Sequence, residues 1–296
     1  MKGDRMSQTA GTFQSSSTSR RRFLKLAAVA AAATAGPAAA GAPSAPERTG
    51  KAKFRLGLAS YTLRKFSLED TLAMAKRVAL HHICLKSFHL PLDASPEQIR
   101  AAAAKVREAG LTLYGGGVIS MKSEEAVEHA FQYARTAGMQ TIVGVPAPDL
   151  LGLVEEKVKQ YDIQVAIHNH GPGDKIYPTP RAAYDKIKSL DPRIGLCVDI
   201  GHTVRYGEDL IATTRRCADR ILDVHLKDET AASPRGRTCP IGRGVIDMPA
   251  FLETLIDIGF SGVASFEYEA DPNDPLPGLA ESVGYVRGAL AVIARR

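Results

Sequence analysis

The sequence predicts an α/β chain folded as a single (β/α)8 barrel, and three observations carry that prediction. Short β-branched or apolar runs alternate with amphipathic helical stretches from Phe54 onward, and the alternation repeats eight times. Glycines stand where helices turn back into strands, at Gly110, Gly138 and Gly259. The length from residue 41 to residue 296 agrees with the roughly 250 residues such a barrel takes. An open doubly wound sheet is the alternative, but no G-x-G-x-x-G follows the first strand.

The first predicted strand, FRLGLASY at 54–61, is followed by helical spacing over 68–78. HICLKSF at 82–88 precedes a helical period at 96–109, and LTLYGGG at 111–117 precedes one at 124–137. TIVGVP at 141–146 is the fourth strand. QVAIHNH at 164–170 leads to a helix over 179–190, and IGLCVDIGH at 194–202 to one over 210–218. ILDVHLKD at 221–228 and a helix at 248–258 follow. GVASFEYE at 262–269 closes the set, with a last helix after Pro277.

Composition sets the remaining bounds. With 45% hydrophobic and 24% charged residues the chain is an ordinary globular one, and disorder throughout is excluded. The first forty residues differ in kind. A Ser/Thr-rich start leads to Ser19-Arg20-Arg21-Arg22-Phe23-Leu24-Lys25 and an Ala-rich apolar stretch, the layout of a twin-arginine export signal. The apolar run is shorter than the roughly 20 residues a membrane span needs, which argues against a permanent anchor. Ala38, Ala39 and Ala40 offer a cleavage site after Ala40. The expected organisation is a signal over 1–40, a flexible leader over 41–52 and the barrel over 53–296. The twin-arginine export machinery is then a partner and the destination is periplasmic or secreted. Lys2, Arg5, Arg20, Arg21, Arg22 and Lys25 against Asp4 account for +5 of the chain's +6 and leave the rest near +1. The basic balance therefore does not point to nucleic acid. Cys84, Cys197, Cys217 and Cys239 show no C-x-x-C spacing, and their pairing is open.

In such a barrel the chemistry sits where strands end, because the βα loops converge there. Strand five ends in His168-Asn169-His170 and strand six in Asp199-Ile200-Gly201-His202. Strand seven contains His225-Leu226-Lys227-Asp228, and strand eight ends in Glu267-Tyr268-Glu269. A lone buried histidine is more often a satisfied core residue than a ligand. Four neighbouring strands aiming imidazole and carboxylate into one mouth need a common partner, since burying them unpaired costs several kcal/mol. Mixed N/O ligands suit a divalent cation such as Mn2+, Zn2+, Co2+ or Fe2+, with Mg2+ also admitted.

These segments, D-x-G-H, H-x-K-D and E-Y-E, with the turn Pro240-Ile241-Gly242-Arg243-Gly244, resemble the strand-end motifs of the xylose-isomerase-like TIM barrels. That group includes sugar phosphate isomerases and epimerases and shares its fold with endonuclease IV. The resemblance runs from about Phe54 to the C-terminus. It implies metal ligands at Asp199, His225 and Glu267, and a fourth at the position filled here by His168. In the epimerase branch the fourth position is usually glutamate, and two metal-bound glutamates exchange a proton across the substrate while the metal polarises the adjacent carbonyl. With His168 there, the resemblance implies two outcomes of one proton abstraction. An isomerase or epimerase reprotonates. A dehydratase or lyase acting on keto-sugars, inososes or 3-keto-glycosides eliminates, with His202 or Lys227 protonating the leaving hydroxyl. Inosose dehydratases of the same superfamily carry histidines at strand five as well.

Several neighbours stay open at this level. Glu269 shares a strand face with Glu267, and His170 with His168, so either of each pair can supply the ligand. Lys86 and His89, after strand two, are candidates for binding substrate hydroxyls or a carbonyl oxygen, as is His170. Their bland reading is a solvated lysine and a packed histidine. Arg237 and Arg243, with Arg235, flank the glycine turn, where a guanidinium suits an anionic or polyhydroxylated substrate, although loop arginines are mostly just solvated. Asp174 reads as a solvated loop residue. Endonuclease IV needs further histidines where this chain has Lys86, the run Gly115-Gly116-Gly117, Arg235 and Thr238, so DNA is not the expected partner. The expected partner is a small sugar or sugar derivative, with a homo-oligomer left open. A non-enzymatic exported sugar-binding protein is the third reading.

Overall fold

The computed structural model describes residues 52–295. Eight parallel strands close a barrel: β1 (Arg55–Ala59), β2 (His82–Leu85), β3 (Thr112–Met121), β4 (Thr141–Pro146), β5 (Gln164–His168), β6 (Ile194–Asp199), β7 (Ile221–Leu226) and β10 (Val263–Phe266). Neighbours in the barrel follow chain order, and β10 pairs with β1 to complete the ring. A short antiparallel pair, β8 (Asp228–Glu229) and β9 (Thr238–Cys239), extends from the end of β7 over the mouth.

The connecting helices are α1 (Leu68–Arg77), α2 (Pro96–Glu108), α3 (Glu124–Ala137), α4 (Leu151–Tyr161), α5 (Pro180–Ile187), α6 (Ile200–Tyr206), α7 (Leu210–Arg216), α8 (Met248–Asp257) and α9 (Leu276–Ile293). Most begin where a short polar side chain accepts a bond from a free backbone N–H. Ser67, Ser95, Ser123, Thr179, Asp209 and Asp247 do this for α1, α2, α3, α5, α7 and α8. Two expectations are corrected. The strand predicted over 194–202 stops at Asp199, because Asp199 caps α6 by accepting from the His202 N–H at 2.8 Å. The third strand continues past Gly117 to Met121, paired with β4 across a register shift between Gly117 and Ile119.

Apolar side chains pack between helices and barrel, while the barrel axis is partly polar. The Tyr114 hydroxyl lies 2.6 Å from Ser265 Oγ and donates toward both Asp223 oxygens at 3.3 Å. Burial pushes the Asp223 carboxyl up to about 6. All four cysteines are unpaired, with Cys84 and Cys197 inside the barrel. The residues predicted as export signal and leader, 1–51, lie outside those described.

Candidate metal centre

The closed barrel brings the ends of β5, β6, β7 and β10 side by side. His168 ends β5, Asp199 ends β6, His225 lies one residue before the end of β7, and Glu267 follows β10 directly. All four are buried, and each offers one ligand atom within 4.8 Å of the others. His168 Nε2 is 3.1 Å from His225 Nδ1 and 3.3 Å from Asp199 Oδ2. His225 Nδ1 is 3.0 Å from Glu267 Oε2 and 3.9 Å from Asp199 Oδ2. Four atoms placed tetrahedrally at about 2.1 Å from one ion stand about 3.4 Å apart, so these spacings fit a shared divalent cation. Asp199 Oδ2 has no hydrogen-bond partner despite burial, which is the condition a cation relieves.

The electrostatics keep three of the four, His168, Asp199 and Glu267, in the protonation state a ligand needs. Burial opposes charge on Asp199, yet His202 and Lys227 hold its carboxyl well below the usual range. Burial likewise opposes charge on Glu267, and His225, Lys227 and Lys86 outweigh it. Burial keeps His168 neutral, with its pKa well below the usual imidazole value. His225 also suffers from burial, but Glu267 beside it raises its pKa above the usual value.

Lys227 is wholly buried, with Nζ 2.9 Å from both Asp199 Oδ2 and Glu267 Oε2, and it also donates to Glu269. The contact to Asp199 is an ion pair rather than an aligned hydrogen bond. Burial opposes its charge, but the three carboxylates hold its pKa well above the usual value. Lys227 is thus a buried positive charge shared by Asp199, Glu267 and Glu269. Room for it comes from Gly201: a Cβ there would stand 2.5 Å from Lys227 Cγ and Cδ. Lys86 reaches the same cluster from β2, with Nζ 3.3 Å from Glu267 Oε1.

The alternatives left open by strand periodicity separate here. His168 and Glu267 enter the cluster, while His170 meets the His168 ring edge-on at 4.5 Å and Glu269 pairs with Lys227. His202 stands at the rim, with Nε2 3.9 Å from Asp199 Oδ2. His89 is turned into the fold: Nδ1 lies 2.9 Å from Ser60 Oγ and Nε2 3.0 Å from Thr71 Oγ1, so both ring nitrogens have partners there. Arg243 is committed to Glu281 on α9 through two bonds of 2.5 and 2.7 Å, while Arg237 and Arg235 are exposed. Asp174 accepts the backbone N–H groups of Ile176 and Tyr177 and shapes its own loop.

Three residues escaped the sequence reading. Asn169 ties β5 to β6 by accepting the Asp199 N–H at 2.9 Å and donating to the Asp199 carbonyl at 3.2 Å. Asp228 accepts four backbone N–H groups, from Glu229, Gly242, Gly244 and Ile246, and so builds the glycine turn. A Cβ at Gly244 would stand 2.2 Å from Asp228 Oδ1, which is why glycine is needed there. Glu229 is buried two residues after Lys227, and burial pushes its carboxyl up to about 7. An aspartate just before a loop that ends in G-x-G was the available signal for Asp228, while Asn169 and Glu229 left none.

Residues 83–289 match the family model described as xylose isomerase-like TIM barrel. The chain belongs to this family. It is 29% identical to the rhizopine catabolism protein MocC of Rhizobium meliloti over 146 residues, 44% of each chain. It is 28% identical to the inosose dehydratase of Lacticaseibacillus casei over 134 residues, 40% of this chain and 44% of that one. The matched region thus spans less than half the length of these relatives. The structure of an L-ribulose 3-epimerase superposes with a TM-score of 0.67 at 19% identity, covering 82% of this chain and 96% of that one, a likeness of fold.

Proposed function

We propose that this xylose isomerase-like protein is a divalent-metal-dependent sugar isomerase or epimerase that abstracts a proton next to a carbonyl. The observation that carries the reading is the convergence of His168 Nε2, Asp199 Oδ2, His225 Nδ1 and Glu267 Oε2 at the mouth. His168, Asp199, His225 and Glu267 would hold a divalent cation there, which would supply Lewis-acid polarisation of a substrate carbonyl. Glu267 is the base, because its neighbours keep it ionised. Lys86, 3.3 Å from Glu267 Oε1, positions a substrate oxygen beside it. Lys227 holds Asp199 and Glu267 in place.

One observation favours a second reading, elimination of water or an aglycone. His168 occupies the place where a symmetric exchange needs a second carboxylate, so the cluster is left with one base. His202 at the rim is placed to protonate a leaving hydroxyl, and the name of the relative inosose dehydratase supports the same chemistry. Metal analysis of the purified protein, then mass spectrometry on ketoses, inososes and 3-keto-glycosides, decides. A product of unchanged mass supports isomerisation, and loss of water or aglycone supports elimination. Bound metal without any turnover leaves the sugar-binding reading. Absence of metal together with unaltered cation affinity in Asp199→Ala sinks the site.

The location belongs to the same proposal. The segment Ser19 to Lys25 supports export by the twin-arginine route, with cleavage after Ala40 and a single barrel domain over 53–296. Among the described residues no helix is long and apolar enough to cross a membrane. Free or oxidised sugars and glycosides, rather than sugar phosphates, are the substrates such a location offers. Replacing Arg20, Arg21 and Arg22 with lysine keeps the charge, and cell fractionation should then find the protein retained.

A further inference from the structure

We propose that Tyr61 and Phe88 form a ring-stacking platform, a second subsite for the ring attached to the reacting sugar, so that the substrate is a glycoside rather than a free monosaccharide. The inference rests on the reading of the adjoining cluster as a sugar site. Phe88 is 58% exposed and lies 5.8 Å, centroid to centroid, from the Tyr61 ring. Leaving a phenyl ring in water forgoes about 1.5–3 kcal/mol of burial. A single exposed ring on a loose loop needs no explanation. Here the backbone on either side of the ring is tied down.

The segment around Phe88 is pinned on both sides. The N–H groups of His89 and Leu90 both donate to the Lys86 carbonyl, at 3.0 and 3.1 Å. The buried His89 ring is clamped between Ser60 and Thr71, the Lys86 N–H donates to the same Ser60 hydroxyl at 2.8 Å, and Tyr133 donates to the Leu90 carbonyl at 3.0 Å. Tyr61 is fixed as well. The Arg64 guanidinium stands 4.7 Å from its ring centroid and donates to the Glu269 carbonyl at 2.8 Å. Two aromatic rings set in advance can take the C–H face of a pyranose, or a flat aglycone, at little cost in conformational entropy.

The platform is continuous with the cluster. Lys86 Nζ is 3.3 Å from Glu267 Oε1 and 5.2 Å from the Tyr61 centroid, and Phe88 lies one ring further out. A sugar whose reacting carbon faces Glu267 thus carries its neighbouring ring past Lys86 onto Tyr61 and Phe88. A monosaccharide fills the inner part alone.

The test measures binding of methyl and phenyl β-D-glucopyranoside to the full chain by titration calorimetry or saturation-transfer NMR. The wild type should prefer the phenyl glycoside about tenfold. Phe88→Ala should bring the two affinities together by weakening the phenyl glycoside alone, and Phe88→Tyr should restore the preference. An unchanged ratio in Phe88→Ala overturns the platform and leaves the sugar site standing. Failure of both glycosides to bind the wild type overturns the sugar reading, and this inference with it.

Discussion

The two sides of the barrel mouth are built from opposite materials. β5, β6, β7 and β10 end in imidazoles and carboxylates that are almost entirely buried, whereas β1 and β2 lead into Tyr61, Lys86 and Phe88, with the outermost ring in solvent. Buried charges are tolerated only when they compensate one another, so the first side has to be assembled as a unit. Its two histidines, Asp199, Glu267, Glu269 and Lys227 form one electrostatic object. The aromatic side makes no such demand. The difference teaches that the charged side is bound to the fold by mutual compensation, whereas the aromatic side can change without endangering the fold.

The comparison breaks first at the charged side. Asp199→Ala or His225→Ala should abolish binding of divalent cations at micromolar concentration, read by titration calorimetry or by metal content after dialysis. Lys227→Met should cost about 3–5 kcal/mol in the metal-free protein, because three carboxylates lose their common cation. Adding Mn2+ should return much of that stability in thermal unfolding, and a variant as stable as the wild type would show that the ammonium is not the keystone of this side.

Beneath both sides, Asp223 tests the polar layer of the barrel axis. Its folded-state pKa, about 6, lies above the ordinary 3.8, so the folded protein holds its proton more tightly than the unfolded chain does. Stability from this group is complete below about pH 4 and is lost as pH rises through about 6. Asp223→Asn should therefore be about 2–3 kcal/mol more stable than the wild type at pH 7, with the gap closing towards pH 4 in denaturant titrations. The smallest effect belongs to the aromatic side: Phe88→Ala should change stability by less than about 0.5 kcal/mol, measured in the same titrations.

Much of this was legible in the chain. Alternation of short apolar runs with helical periods is local, and it placed all eight barrel strands and so the four strand ends at which His168, Asp199, His225 and Glu267 meet. The break at Asp199 was less legible, since IGLCVDIGH is apolar enough to read as strand while the aspartate acts as a helix cap. Helix α4 was passed over, as no side chain caps its start. His89 looked like a mouth residue because its neighbour Lys86 is one, but the chain turns after Lys86 and carries His89 inward.

Two choices could be made only by the closed barrel. His168 and His170 share one face of a strand, as do Glu267 and Glu269, and members of each pair differ by roughly 7 Å in height along it. The sequence by itself determines the face. Height matters only relative to neighbouring strands, and registers such as His168 with Cys197 and Asp199 with His225 select which atom of each pair meets the others. The same holds for Lys227. Its spacing from His225 is local, but its three carboxylate partners come from two other strands, and their pull on its proton exists only once the barrel has closed around it.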